Sequence, residues 1–173
     1  MATVTLSLNK ALIYEAVKAD TYLTGQAEKT IDGANNARAY SEQAGDDNYH
    51  NRKLERTLYG AVGRFEVELA DFIDTSASGN ISHNFPAQDD TFTISFVTSS
   101  RFNTGLVSPM SQLAQEFIIN TMISMWWLAM KPDLANQYKV QAQDSLFQVR
   151  KCLTKTAPAA SSSDYASVTG TTS

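Results

Sequence analysis

The sequence predicts a mainly α protein, a four-helix bundle with a β-hairpin inserted between the second and third helices and with flexible termini. Three features support this. Apolar residues recur at helical spacing in four segments, a two-residue alternation covers the region at about 80–99, and residues 157–173 are rich in Ala, Ser and Thr. We therefore expect one helical domain over residues 1–156 and a flexible C-terminal tail over 157–173.

Composition and charge limit the possible functions. Hydrophobic residues make up 43% of the 173 residues and charged residues 18%, which is enough apolar material for a core. The net charge of −4 argues against nucleic-acid binding as the main role, because phosphate contacts need clustered Lys and Arg. Residues 1–9 lack the pattern of a signal peptide, and the most apolar window, 117–130, is too short to span a bilayer. We expect no membrane association.

The first helix is predicted from a change of period. Residues 4–8 alternate apolar and polar side chains, which indicates a short strand or an extended lead-in. From Asn9 onward the apolar residues follow helical spacing. Ser7 and Asn9 are candidate N-caps, and Gly25 is a candidate end of this helix.

The second helix follows a polar segment, residues 26–47, which predicts a long loop or a frayed helix. An apolar stripe begins where this segment ends, and residues 74–79 are predicted to terminate the helix. Gly60 and Gly63 lie inside it, where each costs roughly 1 kcal/mol relative to alanine. They predict close approach of another backbone, or a bend.

The hairpin is predicted from alternating apolar and polar residues at 81–85 and 92–97, with a turn at 86–90. An isolated two-stranded ribbon is only marginally stable in water, so the hairpin has to lie on the helices or on another chain. We expect the edge of its second strand to pair with a partner. The predicted interface residues of this strand are Phe92, Ile94 and Phe96.

The third and fourth helices are predicted to be antiparallel neighbours. Ser108 is the expected N-cap of the third helix, with Pro109 at its first position. Nearly every face of this helix is apolar, which predicts burial on all sides. Pro132 begins the fourth helix after a short link, and a short link favours antiparallel packing.

The bulky aromatic residues are the other candidates for an interface. Trp126 and Trp127 point to different sides of the third helix, so one is expected to enter the core while the other meets a subunit or partner. Together with Tyr138 and Phe147 they are interpreted mainly as core residues. In the tail, Tyr165 is the predicted contact residue.

Catalytic, cofactor-binding and metal-binding sites are not predicted. The segment Asp46-Asp47-Asn48-Tyr49-His50 contains metal-ligand types, but the start of a helix explains it better. Cys152, the single cysteine, lies in an apolar segment and is interpreted as a packed thiol. We expect no enzymatic activity. A metal-dependent hydrolase using Asp46, Asp47 and His50 is the least favoured alternative.

The C-terminal half resembles structural proteins of tailed bacteriophages. An apolar helix ends in tryptophan within residues 115–128, a Lys-Pro-Asp break begins residues 131–138, and an apolar segment with basic residues occupies 146–153. This pattern is similar to that of small helical structural proteins of phages that infect Bacteroides-like hosts. More broadly, it resembles head–tail connector, or adaptor, proteins.

The resemblance implies a virion protein that is assembled in the cytoplasm of a bacterial host. It implies a homo-oligomeric ring, twelvefold by analogy with connectors, at the head–tail interface. The ring would contact the portal protein and tail or neck proteins, and DNA would pass through it without specific binding. The alternative is a small bacterial helical binding or adaptor module that uses residues 26–47 to hold one protein client.

Overall fold

The computed structural model describes residues 1–32, 44, 48–74 and 91–157, which contain four α-helices, two strands and one short 3-10 helix. This part is mainly helical, which confirms the predicted class. In chain order the elements are β1 (Ala2–Asn9), α1 (Lys10–Asp32), α2 (Asn48–Glu68), β2 (Thr91–Thr98), α3 (Val107–Trp127) and α4 (Pro132–Thr154).

The helix α3 lies at the centre of the fold. The other helices α1, α2 and α4 each pack against α3 more extensively than against one another, and β1 packs on it as well. The predicted four-helix bundle is therefore not confirmed, since three helices share one central partner. The apolar residues of α3 are buried on several faces, as predicted. Among the described residues, no helix combines the length and the apolar character needed to cross a membrane.

The sheet has a different topology from the predicted hairpin. β2 pairs with β1 in antiparallel register, from Ala2 opposite Thr98 to Asn9 opposite Thr91. The alternation near the N-terminus therefore forms a true strand, and the predicted strand at 92–97 is confirmed with a partner that was not predicted. The expected first strand of the hairpin, residues 81–85, lies outside the described residues.

The second edge of β2 is also used in part by the same chain. The Asp74 N–H donates to the Ser95 carbonyl at 2.7 Å, and the Val97 N–H donates to the Phe72 carbonyl at 2.7 Å. The alternating side chains of β2 that point inward are buried in the core; they are Phe92, Ile94 and Phe96. Residues of this chain therefore occupy the backbone positions where a partner strand was expected to pair.

The boundaries of the first two helices differ from prediction. Asn9 is the predicted cap of α1, and its Oδ1 accepts a hydrogen bond from the Leu12 N–H at 3.0 Å. The helix continues past Gly25 to Asp32, so the predicted end is wrong. The helix α2 ends at Glu68, earlier than predicted, because the chain turns there and carries the backbone of residues 72–74 to β2.

The boundaries of the last two helices are closer to prediction. α3 follows directly on a short 3-10 helix, Thr104–Leu106, which is capped by Asn103. The Asn103 Oδ1 accepts a hydrogen bond from the Gly105 N–H at 3.1 Å. Ser108 therefore lies inside the helical segment, and its predicted role as N-cap is wrong. α4 begins at Pro132 as predicted and packs closely on α3.

Two predicted loop regions fall largely outside the described residues. Within 26–47, residues 26–32 belong to α1, and Ala44 is buried with its N–H donating to Thr21 Oγ1 at 3.3 Å. The predicted tail, including Tyr165, lies outside the described residues except for Ala157. The Ala157 N–H donates to the Arg101 carbonyl at 2.7 Å.

A substitution in β1 tests whether this strand is part of the core. We expect Leu6→Ala to lower the free energy of unfolding by about 2–5 kcal/mol, since Leu6 is fully buried and its truncation leaves a cavity. The exposed neighbour Ser7 is the matched control, and Ser7→Ala should change that free energy by less than about 0.5 kcal/mol. Urea unfolding of both variants measures the difference. Equal, small effects would mean that β1 is not part of the core.

Candidate functional site

An open groove lies between α2 and α4, with α3 as its floor. Its volume is about 720 Å³. We call it the α2–α4 groove. Phe117, Thr121 and Ser124 of α3 line its floor, and Gly63 and Val67 of α2 and Phe147 of α4 line its sides.

The groove exists because α2 and α4 both pack on α3 but hardly touch each other. They are bridged near their C-terminal ends by Arg150, whose Nη2 donates to Glu68 Oε2 at 2.9 Å and also to the Glu68 carbonyl. Both side chains of this ion pair are about half exposed, so it stabilises the fold by no more than about 1 kcal/mol. It links the two helices at one point and leaves the space between them open.

The two glycines of α2 have different surroundings. A Cβ added at Gly60 would lie 3.1 Å from Met125 Cε, so Gly60 allows α3 to pack closely. The atom that this Cβ would meet belongs to a flexible side chain, whereas close approach of another backbone, or a bend, was expected at both glycines. A Cβ added at Gly63 would have no described atom within 4 Å, and it would project into open space. Packing against described residues therefore explains Gly60 but not Gly63.

Two large apolar side chains stand exposed beside this space. Val67 is 76% exposed and Phe147 is 55% exposed, with Lys151 Nζ 4.3 Å from the centre of the Phe147 ring. The interpretation of Phe147 as a core residue is therefore wrong. Val140, which precedes Phe147 by two helical turns, is exposed too. Phe147 and Val140 lie outside the buried stripe of α4, and helical spacing alone does not distinguish these exposed apolar residues from the buried ones.

The rim of the groove is basic. Arg64, Lys139 and Arg150 contribute three cations, and Glu68 contributes one carboxylate. Arg64 and Lys139 are exposed and form no ion pair with any described residue. The rim thus carries positive charge on a chain whose net charge is −4. Apolar sides with basic edges suit an amphipathic partner that carries carboxylates.

Both tryptophans are buried in the monomer, so the expectation that only one of them enters the core is wrong. Lys53 of α2 lies over the Trp126 ring, with Nζ 3.9 Å from its centre, and donates to the Trp126 carbonyl at 3.3 Å. Burial, and secondarily repulsion from Arg56, lowers the pKa of Lys53. Lys131 Nζ lies 4.2 Å from the centre of the Trp127 ring. These contacts join α2 and the start of α4 to the C-terminal end of α3.

Side chains that could carry metal or acid–base chemistry are dispersed. The described residues contain no group of three or more His, Cys, Asp and Glu side chains that could hold a metal ion. His50 packs edge-on against Trp126 at 5.4 Å between ring centres, and Cys152 is buried as predicted. Asp46, Asp47 and His83 lie outside the described residues.

No protein-family model, no curated protein and no solved structure matches the chain.

The open space at Gly63 leads to a stability prediction. We expect Gly63→Ala to raise the free energy of unfolding by about 1 kcal/mol, because alanine favours the helix and its Cβ meets no described atom. Gly60→Ala is the matched control, and its gain should be smaller because Met125 has to move. Thermal or urea unfolding distinguishes the two. A loss of stability at Gly63 would mean that the monomer itself needs this glycine.

Proposed function

We propose that the protein is a non-enzymatic virion protein that forms a homo-oligomeric ring at the phage head–tail interface, in contact with the portal protein and with tail or neck proteins. The observation that carries this proposal is the α2–α4 groove. It exposes Val67 and Phe147 on its sides, above a floor formed by Phe117, Thr121 and Ser124. Contiguous apolar surface with a polar rim is typical of protein interaction sites.

The segments that resemble phage connectors contribute to the groove. Phe117 in its floor lies within residues 115–128, and Phe147 in its side lies within residues 146–153. The resemblance is the reason for proposing a location at the head–tail interface. The groove is the surface through which we propose that the subunits assemble. The net charge of −4 suits a channel for DNA, since like charges keep the genome from adhering. The twelvefold symmetry rests on analogy with connectors alone.

The groove changes which residues are proposed to make contacts. Trp126, Trp127 and the three inward-facing residues of β2 lie in the monomer core, so a partner could reach them only after the core opened. We assign them the role of holding the surface in shape. Val67 and Phe147 take their place as proposed contact residues. Tyr165 stays a proposed contact of the tail.

A second candidate function is a small bacterial helical binding module. The groove favours it as well, because the part of α4 that lines it, from Lys139 to Arg150, is about 16 Å long, enough for three turns of a client helix. Gene order separates the two functions. A connector gene is expected between portal and capsid genes on one side and tail genes on the other.

Native mass spectrometry of the purified chain, alone and with the portal protein encoded in the same genome, tests the ring. We expect a monomer or weak association of the chain alone and a ring when the portal protein is present. A strict dimer that forms without any partner contradicts the proposal.

A matched pair of variants connects the ring to the groove. Phe147→Glu should abolish ring formation, because it places a carboxylate on the apolar side of the groove. Gln148→Glu introduces the same carboxylate at the next position, which is exposed and does not line the groove. This variant should assemble like the unmodified chain.

A further inference from the structure

A second unpartnered apolar surface lies on the outer face of α1. Leu12 is 53% exposed and Leu23 is 63% exposed, and Ala19 between them is exposed as well. With Ala16 included, the four residues Leu12, Ala16, Ala19 and Leu23 follow one another at intervals of four, three and four positions. At about 100° per residue these four positions fall within an arc of about 60° on the helix surface. We call this set, Leu12, Ala16, Ala19 and Leu23, the α1 stripe.

The α1 stripe faces away from the protein's own core. The buried residues of α1, which include Ile13, Val17 and Thr21, lie on the opposite side of the helix, where α1 packs on α3. Apolar residues at this spacing form the contact face of a helix that docks in a groove. No described residue of the chain provides such a groove for the α1 stripe within the monomer, since its leucines stay exposed.

Carboxylates flank the α1 stripe. By helical position, Glu15 lies on one side of the α1 stripe and Asp20 on the other. Glu15 is exposed, and partial burial raises the pKa of Asp20. Lys18 lies further around the helix, beyond Glu15. The outer face of α1 is therefore apolar along its centre and acidic at both edges.

The α1 stripe and the α2–α4 groove are complementary in three respects. From Leu12 to Leu23 the stripe is about 16 Å long, which equals the length of α4 from Lys139 to Arg150. The acidic edges of the stripe match the basic rim of the groove. The alanines of the stripe are small enough to approach α2 where Gly63 leaves open space.

We propose that the subunits of the ring are joined by a heterologous contact, in which the α1 stripe of one copy docks in the α2–α4 groove of the next. This inference rests on the proposed ring function and names its subunit interface. Each copy carries both surfaces, so each can bind one neighbour on either side. Repeated contacts of this kind generate a ring when the rotation closes.

The charge pattern favours this contact over a symmetric one. If two grooves faced each other, Arg64 and Lys139 of one copy would approach the same cations of the other, and this repulsion would oppose association. In the proposed contact the same cations meet Glu15 and Asp20. The unused space at Gly63 is then filled by a neighbour.

Engineered cysteines test the contact in the full-length chain. Ala19→Cys places a thiol on the α1 stripe, and Gly63→Cys places one in the groove, while the native Cys152 is buried. Under mild oxidation, a mixture of the two variants should form a disulfide-linked dimer, and neither variant alone should do so. A chain that carries both substitutions should form a ladder of higher oligomers. Thr104→Cys, at an exposed position on the 3-10 helix, replaces Ala19→Cys in the control mixture and should give no dimer.

Complementary variants provide a second, reversible readout. Leu12→Glu with Leu23→Glu inactivates the α1 stripe, and Phe147→Glu inactivates the groove. Sedimentation velocity is run at protein concentrations high enough for the unmodified chain to associate weakly. Under these conditions each variant alone should stay monomeric. A mixture should form a weak heterodimer and nothing larger, because one intact stripe and one intact groove remain. Circular dichroism of each variant confirms that it is folded.

The outcomes separate this inference from the proposed function. If the chain forms rings with the portal protein but the mixed cysteine variants do not crosslink, the heterologous contact is wrong and the ring stands. A dimer of Gly63→Cys alone would show a groove-to-groove contact and overturn the inference. An intramolecular disulfide between Gly63→Cys and Tyr165→Cys would place the chain's own tail in the groove and overturn it too. If no ring forms under any condition, the proposed function itself fails.

Discussion

Burial of α3 is the constraint on which the rest of the structure depends. This helix is apolar on nearly every side, and it can be removed from water only if several elements pack around it. Each of its tryptophans buries roughly 150–250 Å² of surface, which is worth about 4–6 kcal/mol at 25 cal/mol per Å². The elements α1, α2, α4 and β1 all pack against α3. Where α2 and α4 fail to meet, part of the floor beside Phe117 stays open, and the groove is the result.

The elements could be predicted from sequence where the pattern is local. Helical spacing indicated all four helices, and Pro132 marked the start of α4. The partner of β2 could not be predicted in this way, because β1 lies more than eighty residues earlier in the chain. The end of α1 was misplaced at Gly25, since a single glycine costs a helix only about 1 kcal/mol, which favourable contacts elsewhere can offset.

The candidate site was harder to predict than the fold. Bulk and apolar character pointed to Trp126, Trp127 and the β2 residues, but these same properties drive side chains into a core that has room for them. The groove depends on which two helices do not touch, and this is a property of the assembled fold. Two signals were present in the sequence: Gly63 inside a helix, and Val140 and Phe147 seven residues apart on α4. Neither signal locates a groove unless the relative positions of α2, α3 and α4 are known.

In the described part of the chain, a central helix holds three others in place and two apolar faces stay exposed. We propose that other chains cover these two faces. Cryo-electron microscopy of the neck of the native particle tests this account most directly. We expect a closed ring of this chain beneath the portal, with the α2–α4 groove of every copy filled by a neighbour. A neck that lacks this chain, or one in which every groove faces solvent, would contradict it.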